Sequence, residues 1–306
     1  MSTFAPSSRP RWWSTLAACV AAAIVLASSA SASAQVTPDP LDFNARFARF
    51  SLWEGVATGV AGAVTVGFIF VPPRSHAQGN NGFDETFRDV FRLSSPGARG
   101  TAATVSDLLV AALWTWEAVV DPLVVAWGVH GRSATAAQIL LINTEVQLVT
   151  SALQGITTAL AGRERPLVRD CADPVESIGA DSAQCSGNDR NRSFFSGHTS
   201  QAFAAASAQC MNHLNLPLYG GLSAAVPCAT GYVAAALVGG LRMMADRHYF
   251  SDVLVGAGVG TLVGLLVPWL FHYREGVRPA APSASALTTQ QFVVPTGLGA
   301  SYVLIF

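Results

Sequence analysis

Three short stretches of this chain concentrate groups that handle phosphate. GRERP, residues 162–166, carries Arg163 and Arg165. FSGH, 195–198, joins Ser196 and Gly197 to His198, and LRMMADRHYFSD, 241–252, holds Arg242, His248 and Asp252. An arginine is a planar, permanently charged fork matched to phosphate oxygens, and the N–H groups at a helix start add donors at a positive dipole end. Ser-Gly-His at such a start can cap the helix with the serine hydroxyl and present those same donors to an anion. His248 and Asp252 stand four residues apart, so on a helix they share a face and Asp252 can fix the tautomer of His248. An imidazole oriented in that way is a nucleophile, which leaves His198 to protonate the departing oxygen. The chemistry that such a pocket would suit is phosphoryl transfer.

Each stretch sits at the end of an apolar segment, and those segments must bring the three together. The 306-residue chain is 51% hydrophobic and only 12% charged, far below the charge of an average soluble domain. Its formal net charge of −1 and lack of a basic run exclude a nucleic-acid partner. Apolar segments over 52–71, 105–129, 136–161, 199–216, 222–244 and 253–271 approach the length that crosses a bilayer, and short links such as HGRSAT and NLPLYGG imply antiparallel neighbours. The expected fold is an all-α, six-helix membrane bundle with the active site at one membrane face. Small-xxx-small spacing at Gly55 and Gly59, and at Gly256, Gly260 and Gly264, predicts close helix packing. Glu117 and Asp121 share a helix face, where they could be catalytic or proton-relay carboxylates or pair inside the bundle.

Arg9 and Arg11, an apolar run from Leu16 to Leu26 and Ala32-Ser33-Ala34 have the layout of a secretory signal. The chain then divides into this segment (1–34), a short stretch (35–51), a helical domain (52–273) and a linker with a strand-like tail (274–306). Cys171 and Cys185 flank one polar loop and, in an exported protein, read as a disulfide; no second Cys-x-x-Cys or His-x-x-x-His pair supports zinc. Arg46, Arg49, Arg132 and Arg274 favour a cytoplasmic side opposite the three stretches, which sends the active site to the periplasm of a bacterial inner membrane. Cleavage after Ala34 would start residue 35 outside and invert that count.

In order and spacing the three stretches resemble the signature of the type 2 phosphatidic acid phosphatase and vanadium haloperoxidase superfamily: Lys-x6-Arg-Pro, Pro-Ser-Gly-His and Ser-Arg-x5-His-x3-Asp. The matching residues are Arg165-Pro166, Ser196-Gly197-His198, and Arg242 with His248 and Asp252, and the resemblance spans roughly 50–273. It implies an all-α bundle, a phosphohistidine intermediate on His248, His198 as general acid, and Arg165, Arg242, Ser196 and Gly197 holding the phosphoryl oxygens. The expected partners are a lipid phosphate substrate and membrane lipid. It implies no metal and no cofactor in the phosphatase branch; vanadate enters only under the alternative reading, a vanadate-dependent haloperoxidase with His248 as its ligand. A catalytically degenerate membrane protein is the third reading. Three positions depart from the signature: Thr158 replaces the lysine, Phe195 the proline and Leu241 the serine. Arg163 is the candidate to restore the lost charge, and Phe194 with Phe195 to wall the pocket or touch an acyl chain.

Overall fold

The long helices begin on signals that the sequence carries. Ser51 and Glu54 form a reciprocal capping box that opens α2 (Leu52–Phe70), and Ser95 with Pro96 opens α4 (Pro96–Thr115). Two short helices, α1 (Phe43–Arg46) and α3 (Gly82–Phe91), flank α2. The bundle continues with α5 (Ser133–Ala161), α6 (Gly197–Asn215), α7 (Ala225–Met244) and α8 (Phe250–Pro268). The structure, a computed structural model, describes residues 39–75, 82–171, 185, 187–274, 290–296 and 299–305. The signal-like segment 1–34 and the linker 275–289 lie outside the described residues.

α4 runs on into wider π-helical turns over Trp116–Val129, which contain Pro122, and α8 does the same over Trp269–Tyr273 after Pro268. A proline lacks an N–H and its ring crowds the preceding turn, so a widened turn lets the helix pass it.

Among the described residues, five helices are long and apolar enough to cross a membrane: 52–70, 96–129, 133–161, 225–244 and 250–273. Their outward faces carry Leu52, Trp53, Phe70, Val124, Leu237 and Leu262 in the open, an apolar surface that suits lipid. The sixth long helix, α6, is not apolar enough by composition, and its position explains why. α6 packs against α4, α5, α7 and α8. Ala202, Ala204, Ala205, Ala206, Ser207 and Ala208 are all buried along it. A helix wrapped by others meets side chains instead of lipid and needs small residues more than greasy ones.

The glycine spacing is half correct. On α8, a Cβ at Gly256 would lie 2.7 Å from the Ser196 carbonyl, and Cβ atoms at Gly260 and Gly264 would run into the Ser200 and Ala204 carbonyls of α6. This seam lets the two backbones touch. On α2 the expectation fails: nothing lies within 4 Å of a Cβ at Gly59, and Gly55 meets only Phe50 in ordinary contact.

Cys171 and Cys185 are bonded, and a second disulfide joins Cys210 of α6 to Cys228 of α7. The C-terminal tail is an antiparallel hairpin of β1 (Gln290–Thr296) and β2 (Gly299–Ile305), so the alternation read as one strand belongs to a pair.

Candidate active site

The loop ends that carry the three stretches are forced by local chemistry. Gly162 ends α5 in the left-handed region at φ 54°, where any Cβ would collide with the Arg74 carbonyl. Pro166 then holds Arg165 extended, at φ −70° and ψ 149°. Between α7 and α8, Asp246 takes φ 57°, and its carboxylate accepts from Arg88 at 2.8 Å and Arg92 at 3.0 Å. Asp170 pairs with the same two arginines, so the ends of α3, the 166–170 turn and the 245–249 turn are braced together.

His248, His198, Arg165 and Gly197 line one cavity of about 300 Å³, walled also by Val110, Trp114, Gln154, Arg192 and Gln201. A second recess of about 220 Å³ adjoins it through Arg165 and His198 and adds Arg242, Arg247, Asp107 and Asp189. Four arginines against two carboxylates make this an anion site. Burial pushes Arg165 down to about 10, which still leaves it cationic at neutral pH.

The Nδ1–H of His248 donates to the Ser193 carbonyl at 2.8 Å, which fixes the tautomer and leaves the lone pair on Nε2. Burial, reinforced by Arg165, Arg242 and His198, pushes His248 well below the ordinary histidine value, against the raising effect of that carbonyl. It stands neutral in the pocket. Asp252 is therefore not the direct tautomer holder: its carboxylate lies 3.9 Å from His248 Nδ1. It accepts instead from Ser193 Oγ at 2.6 Å, the Tyr249 backbone at 2.9 Å and Arg163 at 2.6 Å, and so fixes the loop whose carbonyl does the holding.

Arg163 is a correction. Its fork bonds Asp252 and Ser251 on one side and Asp84 of α3 at 2.6 Å on the other, and its plane lies 4.3 Å from the Tyr249 ring centre. It is a strut behind the site and lines neither recess, so it does not replace the missing lysine. Thr158, at the lysine position, donates to the Phe194 carbonyl at 3.1 Å and accepts from Gln154 at 2.8 Å. All eighteen basic side chains of the protein are arginine, and those that join Arg165 and Arg242 at the recesses are Arg192 and Arg247.

Ser196 caps the helix as its place in the sequence suggests, but it does not line either recess. It is fully buried and its Oγ accepts from the Thr199 hydroxyl at 2.8 Å and the Thr199 N–H at 3.4 Å, so it caps α6 while Gly197 and His198 form the wall. Phe195 is buried and Trp114 and Val110 take the wall position expected of the phenylalanines. Asp107 accepts from His198 Nε2 at 2.9 Å and from Arg242 Nη1 at 3.1 Å, tying two site residues to α4.

Glu117 and Asp121 stand outside this site. Asp121 accepts from Tyr219 at 2.5 Å and Trp116 at 3.1 Å and lies 3.1 Å from His213, the internal pairing of the two options. Glu117 lines a mostly apolar cavity of about 320 Å³ with Leu140, Gln147 and Leu148, and Trp114 is shared between it and the anion site.

Residues 139–275 match the family model of the PAP2 superfamily. A Lipid A 1-phosphatase of Porphyromonas gingivalis is 36% identical over 115 residues, which cover 36% of this chain and 24% of that protein. The match thus spans about a quarter of the curated relative. No solved structure matches.

Proposed function

We propose that this chain, whose residues 139–275 are a PAP2 superfamily domain, is a membrane phosphatase that hydrolyses a phosphomonoester or diphosphate of a lipid through a phosphohistidine intermediate. The observation that carries the reading is His248: its Nδ1–H is committed to the Ser193 carbonyl, so Nε2 is the nucleophilic nitrogen, beside Arg165 and His198 in one arginine-lined cavity.

Nε2 of His248 attacks phosphorus, the bond to the leaving oxygen breaks, and a proton from His198 goes to that oxygen. His198 then takes a proton from water, whose oxygen displaces His248 and releases phosphate. Arg165 and Arg242 hold the equatorial oxygens with the N–H groups that open α6, and Arg192 and Arg247 supply the charge that the lysine gives in the family signature. Asp107 anchors both His198 and Arg242, keeping the acid and a phosphate ligand in fixed relation.

The substrate class is supported by two things. The relative is a phosphatase of a lipid, which also favours the phosphatase over the haloperoxidase alternative, and the mostly apolar cavity between α4 and α5 shares Trp114 with the anion site, a neighbour suited to an acyl chain. The six long helices then form one membrane bundle, with α6 crossing inside the other five. Arg46, Arg49 and Arg132 at the opposite end of the bundle support a periplasmic face on a bacterial inner membrane, whereas the two disulfides lie toward opposite ends and do not distinguish the faces.

Phosphate release from a panel of lipid phosphates, including lipid A and phosphatidate, tests the proposal. Release should be inhibited by vanadate and absent in His248→Ala. Activity that persists in that variant would remove His248 as nucleophile; vanadate-dependent bromide oxidation would move the chain to the haloperoxidase branch. Labelling of Cys171 and Cys185 from outside intact inner membranes, after reduction, tests the face.

A further inference from the structure

At the far end of the bundle three acceptors converge with no visible reason for doing so. Glu54 opens α2, Glu145 sits mid-way along α5, and His272 lies in the last turn after α8. One ligating atom of each lies within 4.8 Å of the other two. Glu145 is 4% exposed and His272 1%, so water does not solvate them freely. Glu54 Oε1, Glu145 Oε2 and His272 Nε2 are all buried without a hydrogen-bond partner.

The histidine shows what is required there. His272 Nδ1–H donates to the Ala48 carbonyl at 2.9 Å, and Phe50 stacks on the ring, so the imidazole is held with its lone pair on Nε2. That nitrogen faces Glu54 Oε1 at 3.1 Å. Two acceptors at that distance repel unless something positive lies between them. A proton can bridge two of these atoms, whereas a cation bridges all three. Two carboxylates and a neutral imidazole also balance a divalent charge, which removes the cost of burying two unpaired negative groups.

We propose that Glu54, Glu145 and His272 bind a divalent transition-metal cation of the zinc class. One nitrogen and two oxygens form a donor set that zinc accepts, and a backbone carbonyl behind the histidine is the usual device that orients such a ligand. Zinc bonds of about 2.0–2.2 Å put tetrahedral donors roughly 3.4 Å apart, so the widest gap closes by no more than about 1.5 Å. The cation would clamp α2, α5 and the end of α8. Arg192, on the wall of the anion site, bonds the Ile69 and Val71 carbonyls at the other end of α2, 15 and 17 residues from Glu54 and so about 22–26 Å away along the helix. The clamp is separate from the phosphoryl chemistry.

The full chain in detergent, stripped with chelator and dialysed, is titrated with Zn2+ and with Co2+, whose visible absorption reports the ligand field. The expected result is saturable uptake of one cation per chain, a metal-dependent rise in the thermal midpoint, and affinity reduced at least about tenfold in Glu145→Gln and in His272→Gln. His248→Ala and Glu117→Gln should bind as wild type. Wild-type protein that shows no saturable uptake and no Co2+ spectrum overturns the proposal without needing any variant. Unchanged affinity in a monodisperse Glu145→Gln or His272→Gln chain overturns it as well. None of these readouts uses phosphate release, so the site stands or falls apart from the proposed activity.

Discussion

Arg163→Gln separates a strut from a substrate ligand. In the native protein the guanidinium makes three bonds, at 2.6 Å to Asp84, 2.6 Å to Asp252 and 2.7 Å to Ser251, and both carboxylates are 0% exposed. Removing one partner of a buried ion pair leaves the other charge uncompensated and costs about 3–5 kcal/mol. For a domain of this size 1 kcal/mol moves the midpoint by about 2–4 °C, so thermal unfolding in detergent should fall by roughly 6–20 °C. The loss should depend on pH. Burial pushes the Asp84 carboxyl up, but the bonds from Arg163 and Ser251 outweigh it and hold its value below the ordinary one. A depressed carboxyl contributes stability above its unfolded value, near pH 4, and loses it as pH falls through the folded one, so the wild-type and variant midpoints should converge below about pH 4. Affinity for vanadate in the folded fraction should change little. Arg165→Gln should instead lower vanadate affinity by about 10- to 150-fold, the value of one charge-assisted bond of about 1.5–3 kcal/mol. If Arg163→Gln leaves the midpoint intact and weakens vanadate as much as Arg165→Gln, the strut argument is wrong.

His248 is held neutral well below the ordinary histidine value, so the acid limb of kcat/KM should lie below pH ~6.5; a limb at or above that value would mean the cavity does not hold it neutral. The unfolded chain takes up the proton first, so stability should decline as pH drops below ~6.5 toward the folded value, and His248→Asn should flatten that decline in a pH series of unfolding midpoints. Gly260→Ala sets a methyl against the Ser200 carbonyl, and should cost about 1–3 kcal/mol and reduce kcat by displacing the start of α6; a variant with wild-type midpoint and turnover would show that the seam has slack. Replacing Cys171 and Cys185 by serine opens a bond that spans 14 residues and should cost about 2–4 kcal/mol, read as a lower midpoint that reductant no longer changes at that bond.

The ends that form the candidate site were legible in the sequence because each is a local pattern. Arg165-Pro166, Gly197-His198 and the Arg242, His248 spacing need only neighbouring residues to state their geometry, and the structure brings all of them to adjoining recesses. What escaped the sequence was long-range pairing. Arg163 lies two residues from Arg165, yet its partners arrive from α3 and α8 at separations of 79 and 89 residues, and no local rule says which arginine turns inward. Ser193 escaped because it acts through a backbone carbonyl, which any residue carries. Asp107 was visible only as an acid in an apolar segment, with nothing to link it to His198, 91 residues on. For the fold, hydropathy found the lipid-facing helices, but α6 is read by wrapping: its alanines and serines are buried by neighbours that periodicity does not reveal.

The glycine seam between α6 and α8 holds the start of the helix that carries His198 against the start of the helix that follows His248. Ser196 N donates to the Asp252 carbonyl at 3.1 Å, so the turn bearing His198 and the turn bearing His248 are joined main chain to main chain. Side chains in a core change rotamer and repack when a neighbour is altered, but two touching backbones have no such freedom. Substitutions elsewhere in the bundle can therefore erode stability while these two turns keep their register. A lineage built on this bundle could remodel the apolar wall around Trp114 extensively and leave the placing of His198 against His248 unaltered.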